Sequence, residues 1–171
     1  MSLKPAIDNN DHFEGGEKPS VEIVEFGDYQ CPYCGAAYPI VKEIQDTFGE
    51  QIKFVFRNFP LGEIHQYAKI AAQAAEAAAL QNKFWEMHDA IYERQSHLNP
   101  EFLKTLAKEL DLDINQFEAD IESDRVKEKV ENDFESGIRS GVNGTPTFFV
   151  NGERFDGGAT DLYQMLKEST E

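Results

Sequence analysis

From Val21 to Phe26 the chain carries a short apolar run of β-branched and aromatic residues, which predicts a strand. Ala36 to Phe48 then repeats apolar positions at helical spacing and stops at Gly49, and Ile52 to Phe56 predicts a second strand. Strand, helix and strand in that succession form a βαβ unit, whose strands are expected to be parallel with a right-handed crossover. From Leu61 to Gly141 the period is helical throughout. Ala68, Ala71, Ala72, Ala75 and Ala79 make a small-residue stripe suited to close helix packing, and Phe84, Met87, His88 and Ile91 make a second face. Asn99-Pro100 opens a third helix with Phe102, Leu103, Leu106 and Leu110 inward, and Val126, Val130, Phe134 and Ile138 stripe a longer one.

After Gly141 the pattern returns to strands. Thr147 to Val150 and Arg154 to Asp156 flank Asn151-Gly152, a strong signal for a two-residue hairpin turn. Thr160 to Glu168 closes the chain with Leu162, Met165 and Leu166 at helical spacing. The fold class is therefore α/β: a sheet of about four strands, with an all-helical insertion between the βαβ and ββα halves. Three parts are expected: a polar, flexible lead-in over 1–19, a sheet domain over 20–61 and 142–171, and a helical lobe over 62–141. No internal repeat is visible.

Composition narrows the class of function. At 171 residues and 40% hydrophobic content the chain can bury one good core. A net charge of −16, spread along the sequence, argues against nucleic acid or an anionic membrane surface as a partner. No run approaches the roughly 18 apolar residues of a membrane-spanning helix. Met1 to Asn10 lacks the apolar centre of a signal peptide. The expected location is the periplasm or cell envelope where a signal peptide has been removed, and the cytoplasm where this N-terminus is native. A monomer is expected, because no heptad or exposed apolar stripe calls for a partner copy.

The two cysteines stand together in Cys31-Pro32-Tyr33-Cys34, between the first predicted strand and its helix. At a helix N-terminus, unpaired N–H groups and the macrodipole favour a thiolate on an exposed first cysteine. The second cysteine lies one turn on, on the same face and within bridging reach. Pro32 suits the first turn, where its missing N–H has no partner to lose. A zinc site would need further ligands, and His12, His65, His88 and His97 are scattered without ligand spacing. A structural disulfide between residues three apart would constrain the unfolded chain little. The motif reads as a redox pair, with no metal and no cofactor beyond its own disulfide.

Other segments join the motif in one pattern: Asp11-His12-Phe13-Glu14-Gly15, Val24-Glu25-Phe26-Gly27-Asp28-Tyr29-Gln30-Cys31, Asn58-Phe59-Pro60-Leu61 and Gly144-Thr145-Pro146-Thr147-Phe148. Together these resemble the DsbA-like branch of the thioredoxin superfamily, over nearly the whole chain. The resemblance implies a thioredoxin-like fold with a helical insertion and a protein thiol–disulfide oxidoreductase. It implies that Cys31 is the attacking nucleophile, Cys34 the resolving thiol and Pro146 a cis-proline opposite them. It also implies a buried acid at Glu25, relaying a proton to or from Cys34; by pattern alone Glu25 is equally a strand-end carboxylate that reaches water. Beside a cis Thr145–Pro146 bond, main-chain groups are left to pair with an extended peptide. The implied partners are cysteine-containing protein substrates and a redox recycling partner.

One residue departs from the strongly oxidising members of that branch, which carry histidine where this chain has Tyr33. A tyrosine offers no positive charge to the Cys31 thiolate, so a less oxidising pair is expected. Tyr29, Tyr33 and Phe59 are candidates for an apolar rim that receives substrate, and equally for core. Asp28 is expected to be solvated or capping, and His65 and His88 to serve packing or surface. Two further functions fit the same sequence: a peptide-binding or chaperone-like module, and a glutathione-dependent, glutaredoxin-type reductase.

Overall fold

Each run marked as a strand by the sequence forms one, and a further strand precedes them. The structure is a computed structural model that describes residues 1–169. Its elements are β1 (His12–Gly15), β2 (Val21–Gly27), α1 (Pro32–Phe48), β3 (Ile52–Asn58), α2 (Ala68–Ala79), α3 (Phe84–Glu93), α4 (Pro100–Glu109), α5 (Ile114–Ile121), α6 (Asp124–Arg139), β4 (Thr147–Val150), β5 (Glu153–Phe155) and α7 (Ala159–Ser169). Among the described residues they give one five-stranded sheet in the order β1-β3-β2-β4-β5. The central strand, β2, buries Ile23, Val24 and Phe26 almost completely, as a strand covered on both faces must.

β4 runs antiparallel to β2, with Phe26 opposite Thr147, and β5 returns antiparallel to β4. Asn151 and Gly152 both take positive φ, 51° and 84°, which is what a two-residue turn between twisted strands requires. Glycine meets that demand without a steric cost.

The segment 1–19 is not the flexible lead-in that its polar composition suggests. β1 pairs antiparallel with β3, and the backbone N–H of Leu3 donates to Gly152 O at 2.8 Å. Arg57 of β3 explains much of this order. Its Nε donates to Asp11 Oδ1 at 2.9 Å and its Nη2 to Asp11 Oδ2 at 2.9 Å. Its Nη1 donates to Pro5 O at 3.0 Å, and its Nη2 also reaches Ala6 O at 3.3 Å. A charge pair and backbone bonds hold this stretch, so hydropathy gives no sign of it.

By contact density the chain divides into two compact units. One comprises 1–27, 32–57 and the chain from Glu135 onward; the other comprises 28–31 and 58–134. In the first, α1 and α7 pack together, with Phe48 meeting Tyr163 edge to face at 6.2 Å.

In the second unit α2 packs against α3, α4 and α5. That surround turns the expected stripe into a helix buried nearly all round: Ala68, Ala71, Ala72, Ala74, Ala75, Ala77 and Ala78 are all buried, whereas Ala79 is only partly so. Small side chains let neighbouring helices approach on several sides at once. α4 begins as expected, with the Asn99 side chain accepting from Phe102 N at 2.8 Å and Pro100 as first residue.

The stripe on α6 differs from expectation at its end. Ile138 is 57% exposed, and the buried polar positions there are Asp133, Ser136 and, just past the helix, Ser140. These polar groups have dedicated partners: Asp133 accepts from Asn58 N at 3.0 Å, and Ser140 Oγ accepts from Lys4 N at 2.8 Å. An inward face built from satisfied polar groups is invisible to an apolar stripe.

Candidate active site

β2 ends at Gly27 and α1 begins at Pro32 after four intervening residues, so Cys31 immediately precedes the helix and Cys34 lies in its first turn. Pro32 is exposed and stands where a missing N–H costs nothing. The first thiol is not exposed as expected: Cys31 is 3% and Cys34 1% accessible, while Tyr33 between them is 76% exposed.

The segment leading to Cys31 is held in detail. Asp28 Oδ1 accepts from Gln30 N at 2.8 Å, an Asx turn that bends the chain, and Cys31 N donates to Asp28 O at 3.1 Å. Asp28 Oδ2 accepts from Leu61 N at 3.0 Å and from His65 Nδ1–H at 2.7 Å. The carboxylate is buried, not solvated, because these donors replace water. Gln30 Oε1 accepts from Tyr67 N at 2.7 Å. Gln95 Nε2 donates both to Tyr29 O at 2.9 Å and to Cys31 O at 2.8 Å.

Tyr29 and Phe59 belong to the core and not to a substrate rim. The Tyr29 hydroxyl is hydrogen-bonded to His88 Nδ1 at 2.9 Å, and its ring lies 4.9 Å from that of Tyr92. His88 is thereby a buried packing residue. Phe59 is buried with its ring stacked on Phe134 at 4.4 Å. Of the three aromatics considered for the rim, Tyr33 alone is open to solvent.

In the sheet unit, Glu25 is 4% exposed and does not reach water. Its carboxylate turns forward along β2: a Cβ built on Gly27 would fall 2.7 Å from Glu25 Oε2 and 2.5 Å from the Phe56 ring. Gly27 is the residue that leaves room for it. The Thr145–Pro146 bond is cis. β4 starts opposite Phe26, so this bond sits at the sheet end where β2 leads toward the cysteines. Thr145 and Pro146 are half-buried, and Thr147 Oγ1 donates to Gly144 O at 2.7 Å.

A buried acidic cluster closes the end of β3. Asn58 Nδ2 donates to Glu76 Oε2 and to Asp133 Oδ2, each at 2.9 Å, while Lys129 Nζ donates to Asp133 Oδ1 at 2.7 Å. Burial pushes the Asp133 carboxyl above its ordinary range, the Glu76 charge adds to that, and Lys129 opposes it. Among the described residues, no group of three or more His, Cys, Asp or Glu side chains is arranged to hold a metal ion.

Asp28, His65 and Gln95 are the residues that motif reasoning does not deliver as parts of this site. The Asp28 Asx turn had a local signal, a turn acid two residues before Gln30. Gln95 had none, since its partners lie 64 and 66 positions away.

The thioredoxin family model matches residues 8–167. Over 155 residues, 91% of this chain, the sequence is 43% identical to Na(+)/H(+) antiporter NhaA 1 of Salinispora arenicola. The chain spans about a quarter of the length of the curated relatives it matches. Their antiporter name describes those longer proteins, and among the described residues here no helix is long and apolar enough to cross a membrane. Among solved structures, oxidised BdbD of Bacillus subtilis superimposes with a TM-score of 0.85 at 27% identity, covering 99% of this chain and 95% of that one. The thiol-disulfide exchange protein alpha-DsbA2 of Wolbachia pipientis gives 0.82 at 27% identity, covering 94% and 86%.

Proposed function

The chain belongs to the thioredoxin family, and from its DsbA-like fold we propose that it is a protein thiol–disulfide oxidoreductase working through Cys31 and Cys34. The observation that carries this is the thiol pair itself, one sulfur just before α1 and the other in its first turn. A helix N-terminus favours a thiolate there, which makes Cys31 both nucleophile and leaving group.

In the oxidising direction a substrate thiolate attacks the Cys31 sulfur and breaks the Cys31–Cys34 bond. The electron pair leaves on Cys34, which takes up a proton; Glu25, buried on β2, is assigned as the relay. A second substrate thiolate then attacks the substrate sulfur of the mixed disulfide and releases Cys31 as thiolate. Two substrate thiols become a disulfide, and the pair is left reduced. In the reducing direction Cys31 attacks a substrate disulfide and Cys34 resolves the intermediate. Either direction needs a recycling partner that exchanges two electrons with the pair. The half-buried Thr145–Pro146 edge is assigned to the substrate backbone, and exposed Tyr33 to its side chains.

The test is oxidation of a reduced, unfolded protein and reduction of insulin disulfides. Replacing both Cys31 and Cys34 by serine is expected to abolish both activities. Suppression of aggregation that survives this double change, with no redox turnover in wild type, would instead favour a peptide-binding module. Glutathione-driven activity retained by Cys34→Ser would favour a monothiol, glutaredoxin-type route. The reduction potential then fixes direction and setting. A value near about −120 mV supports an oxidase of the envelope, and one near about −270 mV a reductase of the cytosol.

A further inference from the structure

We propose, building on thiol–disulfide exchange at Cys31, that Gln95 is a positioning residue for the attacking thiol. Gln95 opens the short 3-10 turn Gln95–His97 that follows α3. Its amide nitrogen spends both N–H donors on the redox segment, one on Tyr29 O and one on Cys31 O. The orientation of the amide is forced, because two carbonyl oxygens accept and only the nitrogen end can donate.

The second of these bonds has particular leverage. The peptide unit joining Cys31 to Pro32 has no N–H, so its carbonyl is its only hydrogen-bonding handle. Holding that carbonyl fixes the plane of the unit, and with it the direction in which the Cys31 side chain leaves the backbone at the start of α1. The thiolate gains from the helix N-terminus only when its sulfur faces the open N–H groups of the first turn. The same stretch of chain also holds Tyr29, two residues before Cys31, through His88 and Tyr92. Residues 88–95 thus bracket Tyr29 and Cys31, although none of them lies near the motif in sequence.

The experiment uses Gln95→Met, which keeps length and bulk while removing both donors, and Gln95→Glu, which sets a carboxylate against the two carbonyls. Two quantities are read: the thiolate absorbance of Cys31 against pH, in a Cys34→Ser background where it is the sole thiol, and the glutathione equilibrium constant of the intact pair. Both substitutions are expected to move the thiol titration to higher pH. They should also make the pair more reducing, by three- to tenfold in the equilibrium constant; tenfold corresponds to about 30 mV. The sign follows because a less stabilised thiolate raises the free energy of the reduced form.

Gln95→Glu should exceed Gln95→Met. A purely structural role would lower the unfolding midpoint and leave titration and potential where they were; that result in the folded variants overturns the proposal. The thiol titration does not depend on turnover. A wild type that titrates as an activated thiol yet never exchanges with glutathione would therefore overturn the oxidoreductase function alone.

Discussion

Asp28 and His65 are joined at 2.7 Å, with the imidazole Nδ1–H donating to a carboxylate oxygen that also accepts the Leu61 N–H. The other carboxylate oxygen takes the N–H of Gln30, one residue before Cys31. One buried acid therefore shapes the turn into the redox motif and ties it to the loop that follows β3.

Replacing Asp28 by alanine leaves two backbone N–H groups and an imidazole without that acceptor. Each buried orphan donor costs about 1–3 kcal/mol, so Asp28→Ala is expected to lower unfolding free energy by about 3 kcal/mol. Asp28→Asn keeps an oxygen for one or two donors and should cost about half as much. His65→Ala should cost least, since it removes a donor and leaves the carboxylate its backbone partners. Urea titrations of the three variants check the ranking; equal losses for alanine and asparagine would contradict it.

Arg57 and Asp11 form a buried ion pair that fastens the N-terminal stretch to β3. Removing one member strands the other charge away from water, which typically costs about 3–5 kcal/mol, whereas replacing both by apolar groups is far milder. Asp11→Ala alone should therefore destabilise more than the double change Asp11→Ala with Arg57→Met. Denaturant midpoints at equal slope decide it. A double variant worse than Asp11→Ala would show that the pair stabilises beyond its own desolvation.

How much of this was legible in the sequence depends on what holds each part. The strands around Val24 and Phe149, the helix start at Asn99-Pro100 and the turn at Asn151-Gly152 were readable because their causes are local: periodicity, a cap, a left-handed turn residue. The motif Cys31 to Cys34 was readable because its chemistry is written in adjacent residues. Order in the first nineteen residues was not, since it comes from Arg57, 46 positions from Asp11. Tyr29 and Phe59 read equally as rim or core, because an aromatic's place in the sequence does not say which way its ring turns. His88, Tyr92 and Phe134 turn them inward.

Asp133 gives a pH prediction with a definite sign. Burial raises its carboxyl above the unfolded value of about 3.9, so the folded state holds this proton more tightly than the unfolded one. The stability tied to it is complete below the unfolded value and is lost as pH rises through the folded value. Asp133→Asn cannot ionise and keeps an oxygen for the Asn58 donors. Relative to wild type, the asparagine variant is thus expected to gain stability steadily as pH is raised from about 4 into the raised range. Thermal or urea unfolding of both proteins over that span is the check; parallel curves would show that Asp133 is not raised.

Gly27 tests how closely the sheet end is fitted around Glu25. A methyl group there would fall 2.5 Å from the Phe56 ring and 2.7 Å from Glu25 Oε2, closer than real contacts allow. The ring is fully buried and has little room to yield, so the carboxylate is the group that must move. Overpacking of this kind costs about 1–3 kcal/mol, and Gly27→Ala is expected to fall in that range. If Glu25 serves the resolving thiol, displacing its carboxylate should also slow proton delivery to Cys34 and leave the Cys31 thiol titration in place. Rapid mixing of the oxidised variant with a small thiol, followed through release of the second sulfur, separates the two effects. A Gly27→Ala protein that is destabilised but opens its disulfide to the small thiol, releasing Cys34, at the wild-type rate would remove Glu25 from the proton path.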